Sequence, residues 1–237
     1  MSQKGALMTQ DRETLLPIFP LENVVLFPTV SVPLFIFEPR YREMTQSALN
    51  GDRKIGMVAA VPNADLNMGG EPDVFDVGCE GYITSAEQQD DGTFKLLLTG
   101  TERFQILSED PPDGDRLYRV ARVLPLGEEP SDERSGDLAE LRHTLNDLLH
   151  QYVLAGSQVS EEEAQEVRES VRRLDQLDDH CFGQLISQQV NFGVLEKQRL
   201  LETNNSLDRY GMLELLLRFQ IALADTPTPS AGSNLPQ

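Results

Sequence analysis

The sequence predicts an α+β fold: a β-rich small barrel or folded sheet in the first half, then an α-helical bundle. Three observations carry this. In the first half, short β-branched runs alternate with Gly and Pro. In the second half, Leu-rich segments keep helical spacing. Between them, Gly127-Glu128-Glu129-Pro130-Ser131-Asp132 has the composition of a linker. The division expected is a flexible N-terminus over 1–13, a β-rich unit over 14–126, a helical bundle over 132–224 and a disordered tail over 225–237.

The elements follow in order. Residues 24–27 read as a strand. Residues 32–37 read as another, with Pro33 indicating an edge or a strand start. Residues 39–49 form a helix: Pro39 suits the first turn, Tyr41, Met44, Ala48 and Leu49 share a face, and Gly51 suits the C-terminal cap. Residues 55–61 read as a buried strand, and 62–72 as a polar loop containing Gly69-Gly70. Residues 81–88 and 93–98 flank Asp90-Asp91-Gly92, a hairpin signal. Strands over 103–107 and 117–124 follow, separated by the turn Pro111-Pro112-Asp113-Gly114.

In the second half, Leu138, Leu141, Leu145, Leu148, Leu149 and Tyr152 keep the spacing of one helix face. Ser160 and Glu163 form a capping box, and Val167, Val171 and Leu174 continue that helix. Phe182, Leu185, Ile186 and Val190 mark a third helix, residues 195–202 a short fourth. Leu207, Tyr210, Leu213, Leu217 and Ile221 mark a fifth.

Composition excludes several function classes. The 237 residues carry 39 Asp+Glu against 20 Lys+Arg, net −19. Such a chain is a poor partner for DNA, whose phosphates need Lys and Arg. Both halves are acidic: 19 acids against 11 bases over 1–125, and 20 against 9 over 126–237. Two Cys make neither a disulfide-rich scaffold nor a four-cysteine zinc site. No apolar run is long enough for a membrane span, and the N-terminus lacks an export signal, so a cytoplasmic setting is expected.

Catalytic chemistry finds no foothold. His143 and His150 are seven residues apart, too far for an i, i+4 metal clamp. Asp178-Asp179-His180-Cys181 groups ligand-type side chains, but consecutive helix positions diverge, and acids suit a helix start. Cys79 and Cys181 read as buried or half-buried free thiols; carboxylates beside Cys181 oppose its ionisation. Glu161-Glu162-Glu163 reads as a solvated first turn. Phosphate-binding glycine loops and a G-x-S-x-G elbow are missing, and the four lysines lie in no Ser/Lys arrangement. The expectation is a non-enzyme with no cofactor and no metal.

The distinctive features are apolar and proline-punctuated: Leu16-Pro17-Ile18-Phe19-Pro20-Leu21, Val25-Leu26-Phe27-Pro28 and Val32-Pro33-Leu34-Phe35-Ile36-Phe37-Glu38-Pro39-Arg40-Tyr41. The prolines interrupt ladders at set places and hold extended segments. Most of these aromatics belong in a core, Phe19, Phe27 and Phe35 among them. The candidate peptide- or partner-binding set is Phe35, Phe37, Arg40 and Tyr41.

This signature resembles the N-terminal substrate-recognition domain of Lon proteases, a domain also found in cereblon and as stand-alone bacterial proteins. The resemblance continues through Ile55-Gly56-Met57-Val58, Asp76-Val77-Gly78-Cys79-Glu80-Gly81-Tyr82-Ile83, Leu97-Leu98-Thr99-Gly100-Thr101-Glu102-Arg103-Phe104 and Tyr118-Arg119-Val120-Ala121-Arg122-Val123. In the helical half it includes Glu196-Lys197-Gln198-Arg199-Leu200-Leu201-Glu202 and Leu207-Asp208-Arg209-Tyr210. It implies a PUA-like pseudobarrel followed by helices. It also implies recognition of unfolded or hydrophobic peptide segments, as an adaptor or chaperone-like holder within a protease or chaperone system. The length leaves no room for the ATPase and Ser-Lys protease modules of a full Lon protease, so no ATP-dependent cleavage is expected. The drug-binding part of cereblon uses a tryptophan cage, and this chain has no Trp. The alternative is a PUA-like small-ligand or RNA-binding module. Arg40, Arg42, Arg53 and Lys54 are its only local basic cluster, and the net charge opposes it.

Overall fold

The computed structural model describes residues 13–62, 72–128, 135–155, 165, 169, 171–174 and 176–224. The elements run β1 (Thr14–Leu21), β2 (Ser31–Ile36), α1 (Pro39–Asn50), β3 (Lys54–Ala59), β4 (Val77–Gln88), β5 (Phe94–Asp110) and β6 (Val120–Leu126). They continue with α2 (Ser135–Ala155), α3 (Asp179–Gln189), α4 (Val194–Glu202) and α5 (Ser206–Ala224). The α+β expectation, β-rich first and helical second, is the architecture observed.

The sheet order is β2-β5-β4-β3-β1-β6, and β5 also pairs with β6. That extra pairing closes β1, β3, β4, β5 and β6 into a ring. β5 makes closure possible because it is long: Phe94 to Thr99 pair with β2, Arg103 to Asp110 with β6. β1 and β3 are parallel and the other pairs antiparallel, so β2 and α1 form the crossover between β1 and β3.

Period-2 alternation divides the apolar side chains between two cores. Leu16, Ile18, Val58, Phe104, Ala121 and Val123 pack together in one cluster of ring residues. Phe104 occupies space that two glycines vacate: a Cβ at Gly56 would lie 2.9 Å from its ring, and one at Gly78 2.6 Å. The opposite faces of the strands carry Phe19, Ile55, Met57, Cys79, Ile83 and Leu98. These join Met44 of α1 and Phe182, Tyr210, Leu213 and Leu217 of the helical half in one continuous core.

Several local expectations hold. α1 starts at Pro39 and ends where Gly51 N–H reaches the Ala48 carbonyl. Gly92 takes the left-handed conformation (φ 78°) in the β4–β5 turn. α2, α3, α4 and α5 match the periodic segments within a few residues.

Others are corrected. Residues 24–27 are not a strand. Val25, Leu26 and Phe27 are buried, and Phe27 N–H donates to Gln188 Oε1 on α3 (3.2 Å) instead of to a ladder. The proline-rich segment before them is a strand, β1. Its first half pairs with β6 and its second with β3, so Pro17 and Pro20 each have one unpaired side where a missing N–H costs nothing. Residues 94–98 and 103–107 belong to one strand, β5, which passes Gly100 where a Cβ would strike the Phe27 carbonyl oxygen. β6 begins at Val120 rather than 117. The Ser160/Glu163 capping box, Gly69-Gly70, most of the linker and both termini lie outside the described residues.

Candidate functional site

The four candidate residues fall into two pairs on either side of Glu38. Phe35 and Phe37 form the first. β2 points Val32, Leu34 and Ile36 inward and Ser31, Pro33 and Phe35 outward. Phe35 is 56% exposed and Phe37 61%, which corrects the core expectation for Phe35. Their rings stack at 6.2 Å between centroids. Register extends this surface sideways. Ser31, Pro33 and Phe35 lie opposite Thr99, Leu97 and Lys95 of β5, which lie opposite Tyr82, Ser85 and Glu87 of β4. Leu97 and Tyr82 are also exposed. Pro33, Phe35, Phe37, Leu97 and Tyr82 therefore give one outward sheet face an apolar character, against the usual preference for polar residues there.

Arg40 and Tyr41 form the second pair, at the start of α1. The Arg40 guanidinium lies 4.5 Å from the Tyr41 ring centre, and Arg40 Nη2 reaches Glu38 Oε2 at 2.9 Å. Tyr41 is buried, with its ring edge-on to Phe19 at 4.5 Å. Together with Pro20, Leu21 and Val24, the pair lines a surface recess of about 400 Å³. Arg40 and Tyr41 thus present a cation and a covered ring, whereas Phe35 and Phe37 present open aromatic faces. Phe35 and Phe37 stack on each other, and Tyr41 packs edge-on to Phe19.

Two members of the basic cluster behind the RNA alternative are paired with acids. Arg40 pairs with Glu38, Lys54 with Glu80 at 2.9 Å, and Arg53 Nε donates to the Ile83 carbonyl at 2.9 Å. The Glu80 hydrogen bond raises the Lys54 pKa, which keeps that charge tied to its partner. A nucleic-acid phosphate would have to displace these acids.

The reactive groups are occupied structurally. Cys79 is fully buried, and burial pushes its thiol far up. Burial also raises the Cys181 thiol, against a lowering hydrogen bond from Thr29. Asp178 caps α3 by accepting from Cys181 N–H at 2.8 Å, the helix-start role its position suggested. Among the described residues, no three His, Cys, Asp or Glu side chains are grouped to hold a metal ion.

A second polar concentration, which the sequence did not single out, lies where the ring meets the helices. Arg103 of β5 is buried and donates to the carbonyls of Leu201 (2.8 Å), Thr203 (2.7 Å) and Gly127 (3.1 Å). Arg209 of α5 is fully buried and donates to the Thr203 carbonyl (2.8 Å) and Glu128 Oε1 (2.6 Å). Both guanidiniums sit at the carbonyl end of α4, where the helix dipole favours cations. His180 Nδ1 lies 3.6 Å from Glu128 Oε2. Burial works to raise the Glu128 pKa, but His180 and Arg209 outweigh it and hold the carboxyl down at about 2.

Comparison with known proteins bears on this arrangement. Residues 15–218 match the family model described as the ATP-dependent protease La (LON) substrate-binding domain. The Lon protease of Haemophilus influenzae is 26% identical over 218 residues, covering 92% of this chain and 25% of that protein. Lon protease 1 of Syntrophobacter fumaroxidans is 28% identical over 211 residues, covering 89% of this chain and 24% of that protein. The chain therefore spans about a quarter of the length of these relatives. Among solved structures, the N-terminal domain of Mycobacterium avium complex Lon protease superposes with a TM-score of 0.62 at 17% identity. It covers 88% of this chain and 98% of that one. A Lon N-terminal domain protein from Xanthomonas campestris gives 0.56 at 20% identity, covering 87% and 98%. At these identities the superpositions speak for the fold.

Proposed function

The chain belongs to the Lon substrate-binding domain family, and from that premise we propose that it is a non-catalytic module that binds exposed hydrophobic segments of other proteins. The observation that carries the reading is the apolar outward face of β2, β5 and β4, centred on the stacked Phe35–Phe37 pair. Burying those two rings and Leu97 against a partner removes apolar surface from water, the main favourable term in association. The net charge of −19 draws segments that also carry Lys or Arg. Cys79 is fully buried, and the half-buried Cys181 thiol is pushed up by desolvation and by Asp178, so neither is a ready thiolate nucleophile.

The test is a titration with a permanently unfolded, reduced and alkylated protein, read by fluorescence anisotropy. The folded chain is expected to bind it, and Phe35→Ser/Phe37→Ser to bind it markedly less. A well-folded wild-type sample that binds nothing contradicts the reading.

A further inference from the structure

We propose that the free edge of β2 accepts an extended segment of another polypeptide as an added strand. This rests on the binding reading above and specifies how the segment is held. Among the described residues β2 is the strand with a single partner, since it lies outside the closed ring and pairs only with β5.

The backbone groups on its open side follow from the ladder. Gly100 N–H donates to the Val30 carbonyl at 2.8 Å, one step before the Ser31–Thr99 pair. Hydrogen-bonded and non-bonded pairs alternate in an antiparallel ladder. Val32, Leu34 and Ile36 therefore bond to β5, and Ser31, Pro33 and Phe35 turn their backbone groups outward. Two details agree. Ser31 Oγ and Thr99 Oγ1 are 2.7 Å apart, the close approach of a non-bonded pair. Pro33, which has no N–H, falls in the outward set, where it costs the β5 ladder nothing. The open edge thus offers the N–H and C=O of Ser31 and Phe35 and the C=O of Pro33. Groups at this two-residue repeat match the backbone of another strand. The exposed Pro33 and Phe35 side chains beside it give the incoming strand an apolar row to extend.

The occupant is a foreign segment rather than a second copy. Two chains of net −19 repel, whereas an unfolded segment carrying Lys or Arg is attracted. Pro33 removes the central donor, which weakens edge-to-edge pairing of two β2 strands. It leaves enough bonds for reversible capture.

The probe is a capped peptide alternating Phe or Val with Thr or Lys, compared with the same peptide methylated at every backbone nitrogen. The unmodified peptide is expected to bind. The methylated one should bind at least about tenfold more weakly, the cost of losing a few hydrogen bonds. Binding should slow amide exchange at Phe35 and leave Leu34, already bonded to β5, unchanged. Pro33→Val, which restores a donor, should tighten binding severalfold. Equal binding of both peptides, with Phe35 exchange unchanged, overturns strand addition but leaves the binding reading intact. Failure of both peptides to bind overturns the binding reading and strand addition with it. A concentration-dependent dimer abolished by Phe35→Pro assigns the edge to a second copy and overturns the proposal.

Discussion

The outward face around Phe35 and the junction around Arg209 each invert the usual placement of their residue types. Phe35 and Phe37 are apolar and more than half exposed; Arg103 and Arg209 are charged and buried. The difference lies in their partners. Each buried guanidinium is matched by carbonyls at the end of α4, and Arg209 also by the Glu128 carboxylate. The exposed rings have each other and solvent. A satisfied buried polar group is a structural device that fixes ring, linker and helices in one arrangement. The exposed apolar pair is, on the function proposed above, the surface that meets a partner. The two regions should therefore respond oppositely to mutation: the junction in stability, the face in binding.

The largest effect is expected at the junction. Arg209→Met leaves Glu128 with one fewer cation and the Thr203 carbonyl with one fewer donor. Removing one member of a buried ion pair costs about 3–5 kcal/mol. Urea denaturation should record a loss in that range, and a loss under about 1 kcal/mol would erase the contrast with the exposed face. Next comes Gly78→Ala. A Cβ there meets the Met57 carbonyl oxygen at 2.6 Å as well as the Phe104 ring, so the strand itself must shift. A destabilisation of roughly 1–3 kcal/mol is expected. Gly114→Ala is the control, because nothing lies near its Cβ position.

A smaller effect concerns pH. The folded protein holds Glu128 at about 2, below its usual 4.5. On acidification the unfolded chain takes up this proton first, so stability from Glu128 is full above the ordinary value and drains away as pH falls toward 2. Stability measured against pH for wild type and Glu128→Gln should converge over that interval. Curves that stay parallel would mean that Glu128 is not the group held down.

The sequence shows much of this fold and less of either region. α1 was legible because Pro39 and Gly51 mark its ends, and the β4–β5 turn because Gly92 supplies a positive φ. β1 was not, since Pro17 and Pro20 argue against a strand until its split pairing is known. The continuity of β5 was hidden by Gly100, which looks like a turn residue but makes room for the Phe27 carbonyl. At the face, the edge position was legible from Pro33, but Phe35 was expected in the core and only the alternation of β2 turns it outward. Tyr82 and Leu97 joined them only through register between strands distant in sequence. The alternation of 81–88 and 93–98 contained that signal, but not which face turns to solvent. Arg103 and Arg209 are 106 positions apart and locally ordinary. Only the packing of α4 between them makes them a pair.

The most direct test is the double substitution Phe35→Ser/Phe37→Ser, measured for stability and peptide binding in the same samples. The account predicts a denaturation free energy within about 0.5 kcal/mol of wild type, as for exposed positions, together with loss of most of the affinity for an unfolded hydrophobic chain. Unchanged affinity would contradict it, because the exposed aromatic face would then have no part in binding.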